Sequence, residues 1–430
     1  MVDTRVSRAD QVDIVDTVFT NAAVLSPTAV GAEGDRRPRP WQAVAAATFA
    51  IAWGGNEFTP LLVMYRDTTG FSPLTVDLLL FAYVLGIIPA LLVGGALSDR
   101  LGRRPLMMPA PVLAAVGSLI LALGAHSALV LAVGRVFSGL ALGLAMAVGG
   151  SWLKELSSPP FGDGGSGARR AAMSLTAGFG LGAAAAGVLA EWGPAPAVMP
   201  YVINIAMALA AAVLLGTAPE TRTPARSGRA WWTDLAVPAA VRRRFLTVVV
   251  PIAPWVFGAG ATAYAVLPAL MSEHVTQAPI AFSALMCLVA LGVGFGVQHA
   301  GRRVVGDGIG GVVAALVLLV AGMAMAAWAA TVLTVWAALP AAAVLGAGYG
   351  LALLAGLQQV QHMAGPDDLA GLTAVFYSLC YLGFGVPAAL AFLSGTHGLS
   401  YPTMFVVGGC AAVGCLTAVV CGNRRTAAIS

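Results

Sequence analysis

Long apolar segments separated by short polar ones run along almost the whole chain. Each is close to the roughly 20 residues that a helix needs to cross a bilayer. Twelve such segments cover residues 42–65, 75–97, 105–125, 128–150, 171–191, 197–217, 245–270, 279–300, 308–328, 331–357, 369–394 and 401–422. Because only helices and closed barrels span lipid, this pattern predicts an all-α membrane protein with 12 transmembrane helices.

One apolar stretch, from Ile309 to Ala355, is almost unbroken. As a single helix it would be about 70 Å long, whereas the bilayer core is about 30 Å thick. It must therefore form two helices, and we place the turn near Ala329 and Ala330.

Composition excludes a soluble domain. Hydrophobic residues make up 59% of the chain and charged residues only 10%, against about 25% charged in an ordinary soluble domain. The cysteines show no CxxC spacing and the histidines are dispersed, so we expect no metal site and no cofactor. A membrane-embedded enzyme would need a clustered metal-ligand set or a Ser/His pair, and neither stands out.

The basic residues predict the orientation. With the amino terminus inside, 21 of the 23 Lys and Arg residues fall on one side, Arg66 falls on the other, and Arg135 lies within a span. This is the asymmetry of the positive-inside rule, and it predicts cytoplasmic termini. We expect a multi-pass protein of a bacterial plasma membrane. The basic residues are scattered among loops, which favours contact with the lipid bilayer over nucleic-acid binding.

The polar segments predict the domain organisation. Residues 1–41 form a cytoplasmic tail, and a short tail at 423–430 closes the chain. A longer polar segment, residues 218–244, contains three prolines and six arginines. It separates a first set of six helices (42–217) from a second set (245–422).

The loop between the second and third spans carries a distinctive motif, Gly95-Ala-Leu-Ser-Asp-Arg-Leu-Gly-Arg-Arg104. Glycines permit a tight turn, the aspartate can pair with an arginine or a helix amino terminus, and the arginines can face anionic headgroups. The motif resembles the GxLxDRxGRR signature loop of the major facilitator superfamily. A degraded copy, 294–303, follows the eighth span.

This resemblance implies several properties. The family fold has two six-helix bundles related by pseudo-two-fold symmetry, and it works by alternating access. The first motif copy would be its gating loop, formed by Gly95, Asp99, Arg100, Gly102, Arg103 and Arg104. We expect a monomer, as is usual in the family.

Two further motifs resemble those of bacterial drug:proton antiporters. In the fourth span, Leu131, Arg135 and Gly139 match the pattern LxxxRxxxG, which is linked to proton coupling. The fifth span has a partial match to the exporter motif gxxxGPxxGG, with alanine in place of the proline; its glycines are Gly178, Gly182 and Gly187. A small-residue packing face explains these glycines as well as an exporter role does.

Two opposite charges lie inside predicted spans, where ionisable groups usually serve a function. Glu57 is about 12 Å below the outer end of the first span, and Arg135 is about 10 Å below that of the fourth. Our hypothesis is that they are proton-coupling residues, with Glu57 exchanging the proton and Arg135 favouring its carboxylate. A static ion pair, and direct substrate contact without coupling, are the alternatives.

Polar and aromatic residues are candidates for a substrate cavity: Trp53, Asn56, Trp255, Tyr264, Tyr377 and Tyr381. Such a cavity suits small amphipathic compounds, although helix packing also explains most of these residues.

The leading interpretation is a secondary active transporter that exports small amphipathic compounds in exchange for protons. The alternative is a proton-coupled uptake carrier for a nutrient such as a sugar or an organic acid. A third possibility is a sensor that binds a ligand without transporting it.

Overall fold

The computed structural model of the chain describes residues 39–162, 166–223, 235–301, 308–365 and 368–427. Nearly all of the predicted amino-terminal tail lies outside the described residues, as do residues 224–234 of the linker. Residues 302 and 303 of the second motif copy also lie outside them. Within the described ranges all regular structure is helical, which confirms the all-α prediction.

Ten of the described helices are long and apolar enough to cross a membrane. Two more complete the twelve: the first span, α1, which consists of α1a and α1b, and the shorter α6. Their bounds are α1a Pro40–Asn56, α1b Phe58–Thr69, α2 Pro73–Leu101, α3 Arg103–Leu123, α4 Ala128–Glu155, α5 Gly167–Trp192, α6 Met199–Leu215, α7 Ala239–Met271, α8 Pro279–Gly301, α9 Gly310–Val332, α10 Val335–Met363, α11 Leu369–His397 and α12 Tyr401–Asn423.

The first span is interrupted at Glu57, which the apolar pattern does not show. The cause is local. Pro60 has no N–H group to donate to the carbonyl of Asn56, so one hydrogen bond of the helix ladder is missing. Close by, the side-chain oxygen Oδ1 of Asn56 accepts a hydrogen bond from the hydroxyl of Thr59 at 2.7 Å. The regular helix is therefore broken beside the most deeply buried carboxylate of the span.

The turn between α9 and α10 lies at Leu333 and Thr334, so its predicted position at Ala329 and Ala330 is wrong. Alanine is the best helix former and continues the helix. Leu333 instead adopts a left-handed φ of 50°, and Thr334 is extended.

The two halves repeat one packing pattern. In the first half α1 packs on α5 and α6, α2 on α4, and α3 on α4 and α6. In the second half α7 packs on α11 and α12, α8 on α10, and α9 on α10 and α12. Each contact recurs six helices later, which is the relation expected of two six-helix bundles with pseudo-two-fold symmetry.

Small residues permit a close crossing between α2 and α4. A Cβ atom on Gly139 would lie 2.1 Å from the carbonyl oxygen of Tyr83, and one on Gly86 would lie 2.1 Å from that of Val136. Only glycine permits this approach of two backbones, as is common between helices in membranes.

The halves meet along two seams. One joins α2 to α11, and the other joins α5 and α1b to α8. A cavity lies between these seams, and its lining residues come from both halves.

Candidate functional site

The cavity encloses about 870 Å³ of space free of protein atoms, including part that is open to solvent. Four spans of each half supply its walls: α1, α2, α4 and α5, and their counterparts α7, α8, α10 and α11. None of its lining residues comes from α3, α6, α9 or α12 in the described part of the chain. The same four helix positions of each half therefore line the cavity, which is the arrangement expected between two bundles related by a pseudo-two-fold axis.

Aromatic rings dominate the wall contributed by the second half. The ring of Phe257 stacks on Tyr381 at a centroid distance of 4.4 Å and on Phe384 at 5.1 Å. Tyr349 packs against the same ring at 6.0 Å. The hydroxyl of Tyr381 donates to the sulfur of Met146 at 3.0 Å, which links this cluster to α4. Such a surface offers stacking partners but few fixed charges.

Four of the six predicted cavity residues line the cavity: Asn56, Tyr264, Tyr377 and Tyr381. Trp255 instead lines a separate apolar pocket between α7 and α12. It is two residues from Phe257, and positions two apart on a helix point to nearly opposite faces. Trp53 is not among the lining residues; its ring packs against Phe49.

Asn56 connects the two halves. Its amide nitrogen donates to the carbonyl oxygen of Phe179 on α5 at 3.0 Å and contacts the sulfur of Cys287 on α8 at 3.3 Å.

Arg135 is fully buried and lines the cavity. Its guanidinium lies 4.1 Å from the ring centre of Tyr83 and 4.7 Å from that of Phe58. One nitrogen donates to the carbonyl oxygen of Gly55 at 3.3 Å. The Nε group of Arg135 and the hydroxyl of Tyr83 are buried without a hydrogen-bond partner. Both can donate a hydrogen bond, so this part of the wall is suited to a ligand with acceptor atoms.

Glu57 is also fully buried, but it is not a lining residue. Successive residues on a helix differ by about 100° in direction, so Glu57 and Asn56 face different neighbours. Its Oε1 lies at hydrogen-bond distance, 3.1 Å, from the hydroxyl of Ser118, and its Oε2 has no partner. Ser118 in turn contacts Oδ1 of Asn204 at 2.8 Å.

Arg135 contacts the carbonyl oxygen of Gly55, two residues before Glu57, so the cation and the carboxyl lie in the same region of the first half. No ion pair within 4.0 Å joins them, although both belong to the described residues. Their coupling role stays a prediction. Sequence reasoning missed Ser118 and Asn204, because a serine and an asparagine in apolar helices carry no motif.

The predicted gating loop is held by a chain of charges. Asp99 pairs with Arg103 at 3.0 Å, and Arg103 pairs with Glu155 at the end of α4 at 2.9 Å. Arg222 lies 3.8 Å from Asp99. The loop turns at Gly102, whose φ of 104° strains any residue with a side chain.

Glu220 lies beside this turn and accepts hydrogen bonds from backbone N–H groups. Those of Arg103 and Arg104, at the start of α3, lie 2.9 and 2.8 Å from its oxygens. Thr221 and Arg222 donate to the same carboxylate. Partial burial would raise the pKa of Glu220, but these hydrogen bonds outweigh it and lower the pKa. Glu155 and Glu220 thus stabilise the loop, through contacts that the sequence did not predict.

The glycines of α5 lie at two interfaces. Cβ atoms on Gly178 and Gly182 would lie 2.5 and 2.6 Å from carbonyl oxygens of α1a. A Cβ on Gly187 would lie 2.4 Å from Ala284 of α8. Close helix approach accounts for all three positions.

At the end of the bundle opposite the gating loop, Glu191 of α5 bridges the halves. Its Oε2 accepts from the backbone N–H groups of Ile280 and Ala281, at 2.8 and 3.0 Å, at the start of α8. On the same side Arg66 pairs with the buried Asp77 at 2.7 Å.

The family profile of the Major Facilitator Superfamily matches residues 43–388. The chain therefore belongs to this superfamily of membrane transporters, as its signature loop predicts. The described helices and the structural neighbours confirm the predicted fold.

Solved structures of similar fold cover nearly the whole chain. The POT family transporter PepTSo has a TM-score of 0.72 at 13% identity, covering 91% of this chain and 98% of its own. The nucleoside transporter NupG has a TM-score of 0.65 at 14% identity, covering 89% and 98%. The human organic anion transporter MFSD10 (TETRAN) has a TM-score of 0.63 at 15% identity, covering 89% and 100%.

A curated relative is similar over a short region. The arabinose-proton symporter of Bacillus subtilis (strain 168) is 28% identical over 94 residues. The match covers 22% of this chain and 20% of the symporter.

Proposed function

We propose that this transporter exchanges protons for small amphipathic compounds and exports them. The observation that carries the proposal is the central cavity, with an aromatic wall on one side and the buried Arg135 and Tyr83 on the other. Aromatic stacking tolerates varied ligands, whereas a sugar site needs a denser set of polar groups.

Glu57 is the proposed proton carrier and Arg135 its partner. In the described arrangement Arg135 contacts Gly55, and its guanidinium lies over aromatic rings. A shift of α1 against α4 would bring the cation closer to the carboxylate and favour proton release. A return to the described arrangement would favour proton binding. The alternatives are a fixed ion pair in another state and a purely substrate-binding arginine.

Proton movement in proteoliposomes tests this proposal. An inside-acid gradient is imposed, and lipophilic cations, neutral drugs and aromatic acids are added in turn. In the wild type a transported compound collapses the gradient, and in Glu57→Gln it does not. Glu273→Gln, which changes an exposed glutamate, is the matched control and behaves like the wild type. Gradient collapse that persists in Glu57→Gln would refute the role of this carboxylate.

Proton-coupled uptake is the second candidate, for a sugar or an organic acid. The partial similarity to an arabinose-proton symporter favours a sugar. The buried cation, which is the one charged side chain among the described lining residues, favours an acid. Labelled arabinose or an aromatic acid that accumulates with an inward proton gradient, in the absence of any drug-driven proton flux, would replace export by uptake.

We also propose the predicted organisation in the membrane. The six-helix bundles 42–217 and 245–422 are joined by the segment 218–244, and both termini are cytoplasmic. The gating loop then lies on the cytoplasmic side and Glu191 on the outer side. The protein functions as a monomer in a bacterial plasma membrane, with lipid, protons and a small-molecule substrate as its partners.

A further inference from the structure

A short polar chain runs through the first half, away from the cavity. It links Glu57 of α1 to Ser118 of α3 and Asn204 of α6, and all three residues have no exposed surface. Ser118 Oγ lies 3.1 Å from Oε1 of Glu57 and 2.8 Å from Oδ1 of Asn204. The side-chain amide nitrogen of Asn204 donates to the carbonyl oxygen of Ala50 at 2.8 Å.

The chemistry of each group determines how many hydrogen atoms these contacts share. The carbonyl of Ala50 only accepts, so it fixes the amide of Asn204 with its nitrogen toward Ala50 and its oxygen toward Ser118. Ser118 then has one hydroxyl hydrogen and two oxygen neighbours at hydrogen-bond distance. Both contacts are hydrogen bonds only if a second hydrogen lies between Ser118 and Glu57. The carboxyl of Glu57 supplies it when it is protonated.

The surroundings of Glu57 agree with a neutral carboxyl. Its second oxygen, Oε2, is buried without a donor, which is costly for a carboxylate. The titratable groups that interact with it are Arg135 of α4, Tyr65 of α1b and Tyr201 of α6. Arg135 makes its contacts with Gly55 and two rings, as described above. The hydroxyls of Tyr65 and Tyr201 bond to each other at 2.9 Å.

We propose that Ser118 and Asn204 are positioning residues that hold the proton of Glu57 through a hydrogen-bond relay. This rests on the proposed role of Glu57 as the proton carrier. In the protonated state Glu57 donates to Ser118, and Ser118 donates to Asn204. When the proton leaves, the hydroxyl of Ser118 turns to the carboxylate, and Oδ1 of Asn204 loses its donor. Asn204 therefore stabilises the protonated state selectively, and proton release changes the contacts of α1 with α3 and α6.

Infrared difference spectroscopy of the purified, lipid-reconstituted protein tests the relay without any substrate. The carbonyl stretch of a protonated carboxyl is followed across a pH titration, and its absence in Glu57→Gln assigns it. In Asn204→Leu, which has a similar size but no acceptor, the protonated form loses one hydrogen bond. The pH of half-loss of the band should fall by about one unit.

Ser118→Ala should shift this pH in the opposite direction. The carboxylate loses its one donor, and a hydrogen bond to a charged group is stronger than one to a neutral group. Ser118→Thr, which keeps the hydroxyl, should restore the wild-type value. Ser138→Ala is the matched control, because the hydroxyl of Ser138 bonds to the backbone of its own helix, at Gly134.

Three results would overturn the relay: a band that does not titrate, equal shifts in Asn204→Leu and Ser118→Ala, or no change in either. If Asn204→Leu does not fold, Ser118→Ala and Ser118→Thr still test the relay. The outcome is separable from that of the transport assay. Opposite shifts without compound-driven proton flux would support the relay and refute the exporter proposal alone.

Discussion

The crossing of α2 and α4 beside Arg135 gives a sharp test of how packing supports the cavity. We predict that Gly139→Ala destabilises the protein. A methyl group on this residue would lie 2.1 Å from the carbonyl oxygen of Tyr83, whereas ordinary contact begins at 3.4 Å. The two helices would have to separate by roughly 1 Å, and overpacking of this kind costs about 1–3 kcal/mol.

Helix propensity acts in the opposite direction and must be controlled. Alanine is better than glycine inside a helix by about 1 kcal/mol. Gly150, further along α4, has open space where its Cβ would lie. Gly150→Ala therefore reports the propensity effect alone and should be neutral or stabilising.

Thermal unfolding of both variants in detergent, followed by size-exclusion chromatography with fluorescence detection, measures the difference. Gly139→Ala should have the lower midpoint, and it should also weaken ligand binding because Tyr83 moves away from Arg135. Equal midpoints for Gly139→Ala and Gly150→Ala would show that the crossing is not rigid, and the packing explanation of the LxxxRxxxG glycine would be wrong.

Three further predictions concern the two ends of the bundle. Gly102→Ala should lower the unfolding midpoint, because the residue has a φ of 104° and its Cβ would lie 2.6 Å from Glu220. Gly95→Ala is the control and should leave the midpoint unchanged, because open space surrounds its Cβ position. Equal midpoints for the two variants would contradict this explanation. The folded-state pKa of Glu220 is lowered, so its stabilising effect is present above the unfolded pKa and is lost as the pH falls through the folded pKa; unfolding midpoints from neutral to acidic pH should show a smaller acid loss in Glu220→Gln than in the wild type. Glu191→Ala should increase the distance between spin labels at the facing ends of α5 and α8, because the carboxylate that bridges the two helices is lost. Glu273→Ala should leave this distance unchanged. An unchanged distance in Glu191→Ala would show that Glu191 does not hold the two halves together.

Much of the fold follows from the sequence because a bilayer imposes strong rules. Each span must be apolar, close to a fixed length and internally hydrogen-bonded. Twelve apolar segments and a signature loop are therefore enough to predict the architecture. The interruption at Glu57 involves Pro60, and a hydropathy average over a whole span does not register a single proline. The shift of the α9–α10 turn to Leu333 has a similar origin, since the whole stretch is equally apolar.

Part of the candidate site follows from the sequence. Charged residues in a span stand out, so Glu57 and Arg135 were identified as candidates, and the aromatic tyrosines of α7 and α11 lie on the cavity wall as expected. The neighbours of Glu57, Ser118 and Asn204, were not identified, and neither was the contact of Glu220 with the gating loop. Glu220 is remote in sequence from the loop that it caps, by 117 residues at Arg103. Trp255 was predicted to line the cavity because it is aromatic and lies beside prolines. It does not, because it lies on a different face of its helix.

By itself, the sequence determined the class of protein, the number of spans and the loop motif, because these depend on composition and on local order along the chain. Only the tertiary structure decided which face of each helix meets the cavity. It placed Asn56 on the cavity wall and Glu57 against Ser118, although the two are adjacent in sequence. The reason is geometric: a helix turns by about 100° per residue, so neighbours in the chain face different helices, and hydropathy contains no information about that rotation.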